Sequence, residues 1–166
     1  MIFVGIDNGL SGAITAINKN ENILFSTVMP TIKVGSKNEY DINEIVRLFK
    51  EHFGRKDKII IALEKSHVRP VSGKRACFST GFGYGVMQGV LTSLGLSYHI
   101  VSPSEWMNKV ITDKAPGDKK PSIMFCKRKY PTFHWGATER ANKPSDGKTD
   151  ATCLAIYAKK YHLGEL

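Results

Sequence analysis

The sequence predicts an α/β domain: a mixed five-stranded sheet with helices on both faces. Two observations carry that reading. Three short apolar segments open the chain, and the links between them are too short for helical crossovers, so they form an antiparallel meander. Further on, "KIIIALE" at 58–64 is a continuous apolar run, the pattern of a central strand covered on both faces, and a segment of helical period precedes it.

The elements follow in order. Strands are predicted at 2–7, 12–18 and 22–29, separated by polar or Gly-containing turns. From Asp41 the period changes: Ile42, Ile45, Val46, Phe49 and Phe53 mark one face of a helix, and Gly54 is placed to end it. After the 58–64 strand and a basic loop, residues 77–94 read as a helix closed by Gly95, and "LSYHIV" as a fifth strand. "SPSEWMNKVI" is a short helix with Ser102 as its cap and Pro103 at its first position. Helices at 121–129 and 146–161 complete a βββαβαβ order followed by helices. The stretches 31–39, 65–76, 112–120 and 131–145 read as loops that could meet a ligand.

The 166 residues suit one domain, 1–166, with a substantial core. No apolar run spans a bilayer and the first residues start a strand, so no membrane segment, signal peptide or transit peptide is expected. Three scattered cysteines, Cys77, Cys126 and Cys153, share no metal-ligand spacing and fit a reducing cytoplasm. Charge is uneven. Residues 1–64 hold eight basic and eight acidic side chains, and 65–166 hold sixteen and seven, so the whole net charge of +9 lies in the second part. Such asymmetry points to a polyanionic partner, nucleic acid first.

Acidic residues converge in this scheme. Asp7 ends the first strand and Glu64 the fourth; if those strands are parallel neighbours, both lie at the carboxyl edge of the sheet, where α/β proteins place ligands. Asp146 and Asp150 are four apart and share a helical face. Like charges so placed repel, and a divalent cation reverses the sign. Oxygen-only ligands favour Mg²⁺, with Mn²⁺ as substitute, and four carboxylates around two ions per active site is an arrangement that hydrolyses phosphodiesters. Each acid also has a plain structural reading. Asp7 can form an Asx turn before Gly9, Glu64 can pair with Lys65 or Arg69, and Asp146 and Asp150 can serve as first-turn acids on the helix dipole.

The motifs "GIDNGLSGAITAI", "IIIALEKSHV" and "DGKTDATCLAIYAKKY", with "SYHIVSPSEWMNKVI" and "GDKKPSIMFCKRKYP" between them, resemble the RuvC family of Holliday-junction resolvases within the ribonuclease-H-like superfamily. The resemblance spans nearly the whole chain. It implies a ribonuclease-H-like fold and a Mg²⁺-dependent, homodimeric endonuclease that resolves four-way junctions by paired symmetric nicks. It assigns catalysis and metal ligation to Asp7, Glu64 and Asp150, and also to Asp146, although the family spaces its last two acids three apart and position 147 is Gly. Where family members carry an aromatic wedge after the second motif, His67 stands here, with Phe78 as a second candidate ring.

DNA contacts are expected from Lys65, His67, Arg69, Lys74, Arg75 and Phe78 in the loop after Glu64, and from Lys109, Lys119 and Lys120, where the resemblance puts basic residues near the scissile phosphate. Lys127, Arg128 and Lys129 add a cluster. Gly81, Gly85 and Gly89 recur every fourth residue of the 77–94 helix, which suits a close contact, either a two-fold helix–helix interface or the helix's own sheet. Rival readings are a nuclease of broader specificity for branched, flap or single-stranded nucleic acid, a non-catalytic DNA-binding module, and an actin-like phosphate loop, which requires a second domain.

Overall fold

The computed structural model describes residues 1–53, 58–67, 73–113 and 120–166, so Gly54, Arg69 and Lys119 lie outside the described residues. The expected meander is β1 (Ile2–Asp7), β2 (Ala13–Asn18) and β3 (Ile23–Val28), each antiparallel to the next. β6 (Ile59–Glu64) lies parallel to β1 on its other side, and β7 (Tyr98–Val101) lies parallel beyond it, giving the order β3-β2-β1-β6-β7. The β1–β6 register runs from Ile2 opposite Ile59 to Ile6 opposite Leu63. One step further brings Asp7 and Glu64 level at the same edge.

Alternation along the strands builds two cores, because successive side chains point to opposite faces. Val4, Ile6, Ile61 and Leu63 pack with Ile45 and Phe49 of α1 (Ile42–His52) and with Met87, Val90 and Leu91 of α2 (Lys74–Ser93). Phe3 and Ala62 pack on the other face with α3 (Pro103–Val110), α4 (Pro121–Lys129) and α5 (Asp146–Leu163). Three side chains cap helices: Ser102, the cap read from the sequence, accepts from the Glu105 amide, and Asp41 and Ser145 accept from Glu44 and Lys148. No described helix is long and apolar enough to cross a membrane.

Three segments differ from expectation. Residues expected as loop at 31–39 form a hairpin, β4 (Thr31–Val34) with β5 (Lys37–Tyr40), turned at Gly35 with φ 61°. Both strands are exposed along nearly their whole length, so no buried alternation marks them. Tyr40 anchors the hairpin: its hydroxyl donates to the Asn8 carbonyl at 2.8 Å. α2 begins at Lys74, three residues earlier than expected.

The segment 131–145 is a mostly exposed loop, as read, but its middle is pinned to the core, which the sequence did not suggest. Trp135 is 5% exposed within the core and stands 4.7 Å from the Phe133 ring. The buried Lys148 ammonium of α5 donates to the carbonyls of His134 at 3.3 Å and Gly136 at 3.1 Å. Hydrophobic period does not reveal a lysine tied to main-chain carbonyls.

Candidate active site

Main-chain proximity places the acids. A Cβ on Gly5 of β1 would stand 2.0 Å from the Ala151 carbonyl oxygen and 2.3 Å from the Ala155 nitrogen, both backbone atoms of α5. A Cβ on Gly147 would meet the Ser11 oxygen at 2.5 Å, and one on Gly12 the Asp7 oxygen at 2.1 Å. The first turn of α5 therefore rests directly on the β1–β2 turn and its next two turns on β1, as only glycine permits. Asp146 and Asp150 are carried to the edge where Asp7 and Glu64 end.

Each acid has a distinct hold. Asp7 Oδ1 accepts from the Gly9 amide at 3.2 Å, the Asx turn its sequence suggests. Glu64 pairs with neither Lys65 nor any other described cation; its Oε1 accepts from the Trp106 indole N–H at 2.8 Å. Asp150 shares its cleft with Ser122 of α4, whose hydroxyl lies 3.3 Å from that of Thr149. Asp146 is more exposed and forms an ion pair with Lys120, Nζ to Oδ2 at 2.6 Å. Asn8 ties the two strand ends together: its Nδ2 donates to the Glu64 carbonyl at 2.7 Å and its Oδ1 accepts from Ser66 at 2.9 Å. Trp106, Ser122, Asn8 and Tyr40 were not singled out by the sequence; Trp106 carried a signal, lying four residues after the Ser102 cap on a helix expected beside the site.

Electrostatics follow from crowding and desolvation. Burial, then the Asp7 charge and more weakly that of Asp150, raise Glu64 to about 7, against the opposing Trp106 hydrogen bond. Burial, with the charges of Asp7 and Asp146, raises Asp150 to about 7, against Ser122 and Lys120. Asp7 is raised by burial, partly offset by Gly9. The acids thus sense one another, yet among the described residues no three acidic, His or Cys groups are gathered closely enough to hold an ion as they stand. As a donor set they fit a hard divalent cation: oxygen atoms only, half-desolvated, with no described cation paired to Asp7, Glu64 or Asp150. A cleft of about 320 Å³ lined by Glu64, Trp106, Lys120, Ser122, Asp146 and Asp150 opens there.

No protein-family model matches the sequence, and no curated protein matches it. Solved structures do match. The chain superposes on Thermus thermophilus RuvC in complex with a Holliday junction substrate, with TM-score 0.66 and 12% identity, covering 99% of this chain and 97% of that one. A further Thermus thermophilus RuvC structure matches with TM-score 0.65 and 13% identity, covering 99% of this chain and 98% of that one. The fold is that of RuvC. It is the ribonuclease-H-like sheet expected from the motifs, and at such identity the likeness establishes architecture alone.

Around this RuvC-like frame the expected DNA-contact residues divide. Lys65 and His67 are exposed just after β6, and Lys74 and Arg75 are exposed in the first turn of α2. Phe78 is 74% exposed and stacks on Phe82 at 6.1 Å, so it is not a core residue. Arg75, Phe78 and Phe82, with Lys37, Asn38 and Tyr40 of the hairpin, line a pocket of about 480 Å³. Lys109 is exposed in the last turn of α3, and Lys120 caps α4 facing Asp146.

The basic cluster on α4 disperses. Arg128 pairs with Asp113 at 2.6 Å. Lys129 and Lys159 both bind Glu21, in the β2–β3 turn at the opposite edge of the sheet from the acids. The close contact on α2 is also not where the glycine spacing suggested. Gly83 meets the Tyr40 ring, whereas a Cβ on Gly81, Gly85 or Gly89 would meet nothing within 4 Å. Those three face solvent, so packing on their own sheet does not account for them.

Proposed function

We propose that residues 1–166 form one nuclease domain, a divalent-cation-dependent endonuclease of branched DNA that resolves four-way junctions by paired nicks as a homodimer. The observation that carries this reading is that Asp7, Glu64 and Asp150, from three separate elements, lie near enough at one edge of the sheet for their charges to act on one another. The match to a RuvC structure holding a Holliday junction supports the choice of substrate.

In this reading Asp7, Glu64 and Asp150 hold Mg²⁺ or Mn²⁺, two ions per site, with Asp146 as the outer ligand once Lys120 releases it. Such ions supply Lewis-acid stabilisation of the phosphate and a hydroxide nucleophile at neutral pH. The protein's own part is positioning. Gly9 orients Asp7 and Trp106 orients Glu64, and Lys120 at the rim offers a charge to a phosphate oxygen. Phe78, with Lys37 and Arg75 beside it, presents a ring to an unpaired base and cations to the backbone. The exposed Gly81, Gly85 and Gly89 face of α2 suits a second copy of the chain.

The deciding test is cleavage of a synthetic four-way junction with Mg²⁺, against flap and single-strand controls. Symmetric nicks in the junction, absent from Asp7→Asn and Glu64→Gln, are expected; equal cutting of all three substrates instead marks a nuclease of broader specificity. Phe78→Ala is expected to change stability by no more than about 0.5 kcal/mol, as for an exposed side chain, while weakening junction binding. Thermal melts and gel-shift titrations read the two effects. Gly85→Ala is expected to raise thermal stability by about 0.5–1 kcal/mol, because an open helical position gains from Ala. Sedimentation of the same variant reports on the α2 interface, since an added methyl there weakens self-association.

A further inference from the structure

Trp106 is 2% exposed, and its one polar atom is spent on the acid that ends β6: indole Nε1 to Glu64 Oε1, 2.8 Å. We infer that Trp106 is a positioning residue for metal binding, holding Glu64 so that one carboxylate oxygen is engaged by the indole and the other is left for the cation. This inference deepens the metal-dependent nuclease reading and rests on it.

Three features make the indole a fixed support. The Ser102 hydroxyl caps α3, and Pro103 occupies its first turn, which pins the helix that carries Trp106. The Tyr157 hydroxyl donates to Glu105 Oε1 and ties the neighbouring residue of α3 to α5, the helix that bears Asp150. The Lys65 amide donates to the Val101 carbonyl at 2.7 Å, so the chain leaving Glu64 is bonded to the strand that leads into α3. Glu64 and its donor therefore belong to one hydrogen-bonded frame, and the side chain lines the same cleft as Lys120, Asp146 and Asp150.

A free glutamate has three rotatable torsions, and ordering them on metal binding costs conformational entropy. A donor already attached to one oxygen removes part of that cost before the ion arrives. Partners that orient metal ligands in this way change metal affinity by about 10–100-fold when removed.

The test is Trp106→Phe, which keeps a buried ring and deletes the N–H, with Trp135→Phe as control. Mn²⁺ is titrated in two ways: as the rise in melting temperature of the DNA-free protein, and as junction-cleavage rate. For Trp106→Phe the half-saturating Mn²⁺ is expected to rise by about tenfold or more in both assays, with the cleavage rate returning towards wild type at saturating Mn²⁺. A purely structural role lowers the saturating rate and leaves half-saturation in place, and that result overturns the inference. If Trp106→Phe does not fold, the wild-type indole N–H resonances decide, assigned through Trp135→Phe. Mg²⁺ is expected to shift the Trp106 signal and leave the Trp135 signal unmoved, and two unmoved signals overturn the inference. A wild-type protein that responds to neither cation in any assay sinks the nuclease reading itself. A wild-type response with an unchanged Trp106→Phe titration sinks only the role given to Trp106.

Discussion

Asp7→Asn and Glu64→Gln are expected to lower junction cleavage by at least about a hundredfold, a loss at the upper end of that for outer-shell partners of a metal, while making the metal-free protein more stable. Both halves follow from one geometry. Burial and the neighbouring acids raise Glu64 from the usual carboxylate range to about 7, and Asp150 likewise. In the unfolded chain such groups titrate near ~4. The folded protein therefore holds extra protons between roughly pH 4 and pH 7, and its ionised acids destabilise it fully only above about pH 7. A displacement of that size for one acid corresponds to on the order of 1–3 kcal/mol, and the coupled penalties of neighbouring acids do not add. Neutralising one acid should accordingly raise the melting temperature by about 5 °C at pH 8 for a chain of this length.

Three measurements follow from the same account. Without metal, wild-type stability should rise as pH falls from 8 to 5.5, the reverse of an acid held low by a partner. Glu21, held below its usual range by Lys129 and Lys159, contributes in the opposite sense, and its contribution is lost only at more acid pH. Saturating Mg²⁺ should stabilise the wild type most at high pH and Asp7→Asn little. Both variants should still bind junctions, because removing a negative charge relieves repulsion of phosphate. A variant that loses binding and cutting together, or one that melts below wild type at pH 8, would mark these acids as structural.

The second large effect is expected at Gly5. An added methyl meets α5 backbone atoms 2.0 and 2.3 Å away, and backbone cannot rotate aside as a side chain can. Gly5→Ala should therefore cost about 3 kcal/mol, at the upper end of overpacking penalties, and displace the helix that carries Asp150. Cleavage should fall with stability, and manganese should restore neither. Gly85→Ala, on the open face of α2, is the matched control with the opposite sign of stability change. Equal melting temperatures for the two variants would refute the account of how α5 is seated.

Much of this was legible in the sequence, for definite reasons. β1 and β6 end in acids after unbroken apolar runs, and a buried strand tolerates a carboxylate only at its edge or with a partner. Asp146 and Asp150 at helical spacing were readable from periodicity alone. The β4–β5 hairpin was not, because both of its strands face solvent and leave no alternating pattern. Gly5 lies inside an apolar run and reads as a mere weakness in a strand until the helix crossing it is seen. The charge count exaggerated the nucleic-acid face: Arg128, Lys129 and Lys159 are neutralised by Asp113 and Glu21 away from the acids. Trp106 escaped because a tryptophan on a helix reads first as core, which it also is.

The seating of α5 on bare main chain at Gly5, Gly12 and Gly147 bears on how such a protein can diverge. What spaces the carboxylates is the thickness of two backbones in contact, a dimension that no choice of neighbouring side chains alters. Selection then needs to guard only a few absent methyl groups and the acids beside them, leaving the remaining surface and much of the interior free to drift. A saturation-mutagenesis map should show intolerance at these glycines as sharp as at the carboxylates, amid broad latitude elsewhere. That economy offers a physical reason why one shape can be built from sequences as unlike as this chain and a structure it superposes on at 12% identity.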